Sequence, residues 1–336
     1  MKLGVFLPTY LIPGSEREHA AQIRGFAVRA EELGFDSLFV TDHLLTASRF
    51  YRVSWLEPLI TLAHAAAVTE RIRLGTSILV LPTRQPVVLA KEIASLQHLS
   101  GGRCVFGVGV GWYEPEFEAV GGTRRERGRR TDEVLDATVE LLSRPGVSFD
   151  GRFYRFTDAT VEPLTTVPPV WVAGGRQHVH ETSPERPVMA PSVLARICRR
   201  DGWIARPTAR PDQIALDLGE IDAVFAARNT TRAGRGFTVA HENFCWLSER
   251  SDLSAAVAEQ RQHLLRVLSA ERPWDYIESV YLTGTIEDVQ AQVHERIAAG
   301  VEYLILHTLS ADVAQLELFA THILTPFGER VASAAS

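Results

Sequence analysis

Apolar residues along this chain alternate between short solid runs and longer stripes at helical spacing. Residues 3–7 form an apolar run closed by Pro8, which predicts a buried strand. A helix follows from about Ser15, its N-cap, with Glu16 and Glu18 in the first turn; Ile23, Phe26, Ala27, Ala30 and Leu33 keep one apolar face and Gly34 ends it. Residues 35–41 predict a second strand that runs into Asp42-His43. Leu56, Leu59, Ile60, Ala63, Ala66 and Ala67 make the next helical stripe. Residues 72–81 predict a third strand closed by Pro82, and Pro86 opens a helix to Leu99. The fourth strand, Arg103 to Trp112, has glycine at every second position: Gly107, Gly109 and Gly111. Alternate strand residues share a face, so these glycines present bare backbone to one side, as a bend or a close ligand approach requires.

The unit repeats downstream. Residues 170–173 predict a strand after Pro168-Pro169, followed by Gly174-Gly175, a short helix over 192–200 and a very short strand at 202–204. A helix over 211–228 and a strand over 237–247 come next. Thr285-Ile286-Glu287-Asp288 reads as a capping box opening a helix to Ala299, with Gly300 at its end. Residues 301–307 are the final strand and 311–324 the final helix. Eight strands with helices between them predict a (β/α)₈ TIM barrel, with insertions in the βα loops, as a single domain over residues 1–336. Three segments fall outside the repeat: 147–156, a β-hairpin around Asp150-Gly151; 177–191, a loop rich in His, Glu and Pro; and 249–281, a long helical insertion. Two of these are placed to shape a pocket.

Composition narrows the function classes. The formal net charge of −6 argues against nucleic acid or an anionic membrane as partner. Cys104, Cys198 and Cys245 are odd in number and far apart, so neither a disulfide framework nor a Cys-x-x-Cys site is expected. The N-terminal apolar run is too short for a signal peptide, and no run approaches a membrane span. A cytoplasmic protein acting on a small molecule is the expectation.

Asp42-His43 lies just past the second strand, on the face where barrels carry their chemistry, and histidine exchanges protons near neutrality. Its plainer reading is a loop histidine held by an aspartate. Gly75-Thr76-Ser77-Ile78 is either a buried strand end or a backbone platform under a planar ring. Gly174-Gly175 ahead of a helix starting near Ser192 is either a turn or an anion site. The run Arg124 to Arg130 is either a solvated face or a contact for an anionic cofactor tail or substrate, the solvated face being the commoner case. His178-Val179-His180-Glu181 invites a metal reading, but no third ligand is set by spacing, and no metal is expected. A dinucleotide fingerprint fails on Trp112, which stands where Gly-x-Gly-x-x-Gly needs its third glycine.

In order along nearly the whole chain, residues 30–43, 73–78, 107–112, 201–204, 284–289 and 299–301 resemble the bacterial luciferase-like flavin and deazaflavin oxidoreductases. Within them, the branch using coenzyme F420 is the most similar. The resemblance implies a ring over the C-terminal mouth of the barrel, with His43 beside it handling a proton and Asp42 in the same cofactor-binding set. It implies a cis peptide at Ser77–Ile78 against the ring, Val110 and Gly111 along the ring side, and Gly174, Gly175, Ser192 and Val193 at the phosphate. The helix matching residues 56–68 is a dimer interface in such proteins, so a homodimer is expected. Trp112-Tyr113 stand where F420-dependent sugar-phosphate dehydrogenases have a glutamate acid, and 177–191 lengthens the turn before the phosphate helix. Trp55, Trp112 and Tyr113, with Trp274, are the expected substrate pocket and suit an apolar or aromatic ligand. The expected activity is hydride transfer between F420 and a small organic substrate, with His43 as proton donor or acceptor. Its rivals are an FMN-dependent monooxygenase on the same fold, a non-catalytic flavin-binding barrel whose mouth is blocked by 177–191, and a metal-dependent hydrolase.

Overall fold

A computed structural model describes residues 1–11, 16–176, 188–269 and 273–328. Eight parallel strands form its centre: β1 Lys2–Phe6, β2 Ser37–Val40, β3 Arg73–Thr76, β4 Cys104–Gly109, β5 Val170–Gly174, β6 Gly202–Ala205, β7 Thr238–Phe244 and β8 Tyr303–His307. They pair in chain order, and β5 returns to β4 through Trp171 opposite Gly107, which closes the cylinder. The expected (β/α)₈ barrel is thus the fold. Helices α1 Glu16–Leu33, α2 Pro58–Ala66, α3 Pro86–Leu99, α4 Arg127–Ser143, α5 Pro191–Ile197, α6 Pro211–Ala227, α7 Ile286–Ala298 and α8 Val313–Phe319 follow the strands in turn.

Because each strand is buried on both faces, the strands read as solid apolar runs. One face packs under the helices, as with Leu3, Val5, Leu38 and Val40; the other fills the lumen with Phe6, Phe39, Val105, Trp171, Tyr303 and Ile305. Helix starts follow local chemistry. Glu57 caps α2 by accepting the Ile60 N–H, and Thr285 with Asp288 makes the predicted box on α7. Ser15, the expected cap of α1, lies outside the described residues.

The third strand departs from the pattern. Its apolar run spans 72–81, but the strand stops at Thr76, turns at the cis Ser77–Ile78 peptide and resumes as Leu79–Val80, which pairs with β4. That detour explains the glycines of β4. A Cβ on Gly107 would stand 1.8 Å from the Thr76 carbonyl oxygen, and one on Gly109 would stand 2.5 Å from Cδ1 of Ile78. These two positions therefore admit the neighbouring strand rather than a ligand; only Gly111, at φ +65°, reaches the mouth.

The hairpin pairs Val147–Asp150 with Arg155–Ala159 and lies away from the mouth. The insertion after β7 is two helices, Leu253–Val267 and Trp274–Val280, rather than one long one. All three cysteines are buried and free. Among the described residues, no helix is long and apolar enough to cross a membrane.

Candidate active site

A cavity of about 240 Å³ opens at the C-terminal mouth of the barrel. Its first wall comes from the loop after β2. Asp42 accepts the Val80 N–H at 2.8 Å and an Arg84 N–H at 3.0 Å, and Arg84 also pairs with Glu57 at 2.8 Å. Burial pushes the Asp42 carboxyl up, while Arg84 opposes the shift. Asp42 thus ties the β2 loop to the turn that follows the cis peptide.

His43 is held differently. Its Nδ1 lies 3.1 Å from Oε1 of Glu116, and the same oxygen accepts the Leu45 N–H at 3.1 Å. Glu116 is only 1% exposed and sits on a short helix, Glu114–Ala119, just past β4. With Nδ1 engaged, Nε2 is the ring nitrogen left for the cavity. Three aromatic rings enclose the imidazole: Trp55 at 4.9 Å, Tyr51 at 5.4 Å and Trp112 edge-on at 5.5 Å. The insertion supports this wall. Arg52 N–H donates to the Val267 carbonyl, Tyr51 bridges to Leu268, and Trp55 pairs with Tyr10 in a two-residue ladder.

The floor is aromatic too. His307 on β8 is sandwiched between Phe6, at 4.2 Å and 14°, and Phe244, at 4.5 Å and 19°. Burial pushes its pKa down to about 3, so the imidazole is neutral; Thr41 Oγ1 lies 3.4 Å from its Nε2. Across the barrel, the Ser77 hydroxyl donates to Glu242 on β7, whose pKa burial pushes up to about 7.

Of the residues expected at the site, Asp42, His43, Trp55, Ser77, Ile78, Gly111 and Trp112 line the cavity. Val110 does not, because the alternation of β4 turns it with Phe106 and Val108 away from the lumen. Tyr113 stands outside the lining, where it begins the short helix and packs on Trp112 at 5.5 Å. Trp274 lies under Arg261 in the insertion, away from the mouth. Gly174 meets Val193 across β5 and α5, where a Cβ would be 2.5 Å from Cγ1; a Cβ on Gly175 would be 2.6 Å from an Asp217 oxygen. Ser192 is exposed in the first turn of α5, and neither it nor the glycines line the cavity. Arg176, the cation nearest in sequence to this pair, is bonded to Asp217 at 2.9 Å and Glu220 at 2.8 Å. His178, His180 and Glu181 lie outside the described residues.

Sequence reasoning missed Tyr51, Glu116, Arg206, Glu242, Asn243 and His307. A trace of Glu242 is visible in retrospect: it shares the lumen-facing alternation of β7 with Ala240 and Phe244, a carboxyl in an apolar row. Glu116 lies four residues past Trp112, on the short helix Glu114–Ala119.

Fold and cavity together define a (β/α)₈ barrel with a cavity at its C-terminal mouth. The model of the luciferase-like monooxygenase family matches residues 1–303, and the chain belongs to that family. An F420-dependent glucose-6-phosphate dehydrogenase of Kineococcus radiotolerans is 37% identical over 168 residues, covering 48% of this chain and 49% of that protein. The chain thus matches about half the length of that curated relative. Among solved structures, an F420-dependent secondary alcohol dehydrogenase with an F420–acetone adduct superimposes with TM-score 0.76 at 18% identity, covering 98% of this chain and 99% of that one. A monooxygenase from Streptomyces bottropensis gives TM-score 0.75 at 23% identity, covering 97% and 100%. At these identities the structures share the fold.

Proposed function

We propose that this chain, as a single luciferase-like barrel domain, transfers a hydride between coenzyme F420 and a small organic substrate, with His43 as the proton donor or acceptor. The His43–Glu116 pair inside an aromatic-walled cavity carries the reading. When bound, the deazaflavin ring supplies or receives the hydride. Hydride addition to a carbonyl carbon leaves an oxygen that needs a proton, and the reverse reaction must remove one. Glu116 on Nδ1 fixes the orientation of the imidazole, so that Nε2 meets the substrate oxygen.

The ring end of the cavity fits a flat ligand. Ile78 and Ala173 give it apolar walls, Gly111 adds no side chain, and Glu242, Asn243 and Arg206 stand at its polar edge. Asp42, His43, Ser77, Ile78 and Gly111 form the ring-binding set in this proposal, and Val110, which faces away from the cavity, drops out of it. Gly174, Gly175, Ser192 and Val193 take the phosphate end. The enclosing Tyr51, Trp55 and Trp112 favour an apolar or aromatic substrate over a sugar phosphate. The rival is an FMN-dependent monooxygenase on the same fold. Titrating the purified protein with F420 and with FMN, and recording each absorbance change, separates the two. F420 should bind; tight FMN binding with no F420 binding overturns the proposal.

The same proposal takes the protein as a cytoplasmic homodimer paired through α2, where Ile60 is 73% exposed. Sedimentation at the monomer mass would overturn the pairing.

A further inference from the structure

β3 and β7 lie four strands apart in a ring of eight, so their C-terminal ends face each other across the mouth. The hydrogen bond from Ser77, just past β3, to Glu242 on β7 therefore spans the barrel. Glu242 points inward with Ala240 and Phe244, and its register partner on β8 is Ile305. Ile78, Ile204 and Phe6 line the same cavity. Ser77 donates to Oε2, which leaves Oε1 with no protein donor among the described residues.

Glu242 is half-buried at the cavity wall, so a carboxylate there would give up part of its water and receive one hydrogen bond in return. A carboxylic acid loses less on burial, and with Oε2 accepting from Ser77 its proton belongs on Oε1, toward the cavity. The pKa of about 7 agrees with that arrangement: burial raises it and the Ser77 hydroxyl opposes the rise. The other charged or titratable groups around the cavity are Arg206 past β6, His307 on β8, Asp42, His43 and Tyr51 past β2, and Glu116. Tyr303 on β8 lies a layer below and is bonded to Ser37. His307 is neutral. The Arg206 guanidinium donates to the Arg176 carbonyl at 2.8 Å.

We propose that Glu242 is a ligand-binding acid, whose Oε1–H donates a hydrogen bond to a carbonyl or ring-nitrogen acceptor of the flavin-type ring in the mouth, and that Ser77 is the residue that positions it. This rests on the reading that the cavity takes such a ring, but not on which ring it is. The protonated group binds the acceptor, whereas the ionised group turns lone pairs toward it. Ring affinity therefore falls as pH rises through the Glu242 midpoint.

Two measurements test this. NMR of carboxyl-labelled glutamate in the ligand-free protein should show one resonance, absent from Glu242→Gln, that titrates near the value of about 7. In Ser77→Ala the midpoint should move higher, because the carboxylate loses its donor. Absorbance titrations with F420 and, in parallel, FMN should show affinity falling by up to about tenfold per pH unit above that midpoint. Glu242→Gln keeps a donor without a titrating proton, so its affinity should be flat with pH. A midpoint in the ordinary carboxylate range, an unchanged slope in Glu242→Gln, or binding of neither ring overturns the proposal. FMN binding with the expected slope leaves it standing while overturning the F420 reading. F420 binding without the slope does the reverse.

Discussion

His43 and Glu116, 73 residues apart in sequence, meet at 3.1 Å between Nδ1 and Oε1. The loop after β2 brings the histidine and a six-residue helix after β4 brings the glutamate. The same Glu116 oxygen holds the Leu45 N–H, so one buried carboxyl fixes both the imidazole and the backbone that carries it.

Glu116→Gln keeps the shape and removes the charge. A hydrogen bond to a charged group is worth about 1.5–3 kcal/mol. Losing that hold on the proposed proton-transfer residue should lower kcat roughly tenfold to a hundredfold with little change in KM. Steady-state kinetics with F420 check this; full turnover in the variant would remove Glu116 from the mechanism.

Trp112, 38% exposed at the rim, covers His43 edge-on and packs against Phe50 at 4.6 Å. Aromatic contacts of this kind contribute about 0.5–1.5 kcal/mol beyond area burial. Trp112→Ala should therefore raise KM by roughly two- to tenfold while kcat holds. A loss confined to kcat would mean that the ring serves the chemistry rather than binding.

Stability should fall in mild acid. His241 and His307 are buried with pKa values lowered to about 3 from the ordinary 6.5, by desolvation in both and by Arg296 in addition for His241. Between those values the unfolded chain binds more protons than the folded one, so this stabilisation is present above 6.5 and fades as pH falls toward 3. Glu242 works in the opposite direction: its pKa is raised from 4.5 to about 7, so its contribution fades as pH rises through that window. Of the three groups shifted this far in that range, two lose stability in acid, so Tm should decline below neutrality, and His307→Phe, which keeps the ring stack, should flatten the decline. An unchanged Tm–pH curve in that variant would show that His307 is not the group responsible.

Gly107→Ala and Gly109→Ala should differ in severity. The first places a methyl 1.8 Å from backbone, the Thr76 carbonyl; the second meets only the tip of the Ile78 side chain, at 2.5 Å. Overpacking costs about 1–3 kcal/mol and more where backbone must move. Denaturant titration should place Gly109→Ala inside that range and Gly107→Ala beyond it. Equal losses would mean that the detour after β3 yields as easily as a side chain.

The barrel was legible because most strands are short apolar runs and several helices carry a stripe and a start signal such as Pro58, Pro86 or Thr285. His43 was legible because strand ends on one face of such a barrel carry function. What local pattern could not convey was pairing across the mouth. Glu116 looks like an ordinary solvent-facing acid in sequence, and only closure of the cylinder buries it beside His43 and brings Glu242, half-buried, to Ser77. The β4 glycines were misread for a related reason: their close neighbour is β3, whose turn at Ser77–Ile78 lies inside a continuous apolar run and leaves no mark in its periodicity.

The most direct test of hydride transfer is turnover without oxygen. Reduced F420, wild-type protein and a panel of small aromatic and aliphatic carbonyl compounds are mixed anaerobically, with His43→Ala in parallel, and the return of the oxidised cofactor's absorbance is followed. The proposal predicts oxidation of F420 by a carbonyl substrate in the absence of oxygen, and its loss in His43→Ala. Turnover that requires oxygen and reduced FMN, or undiminished turnover in His43→Ala, would contradict it.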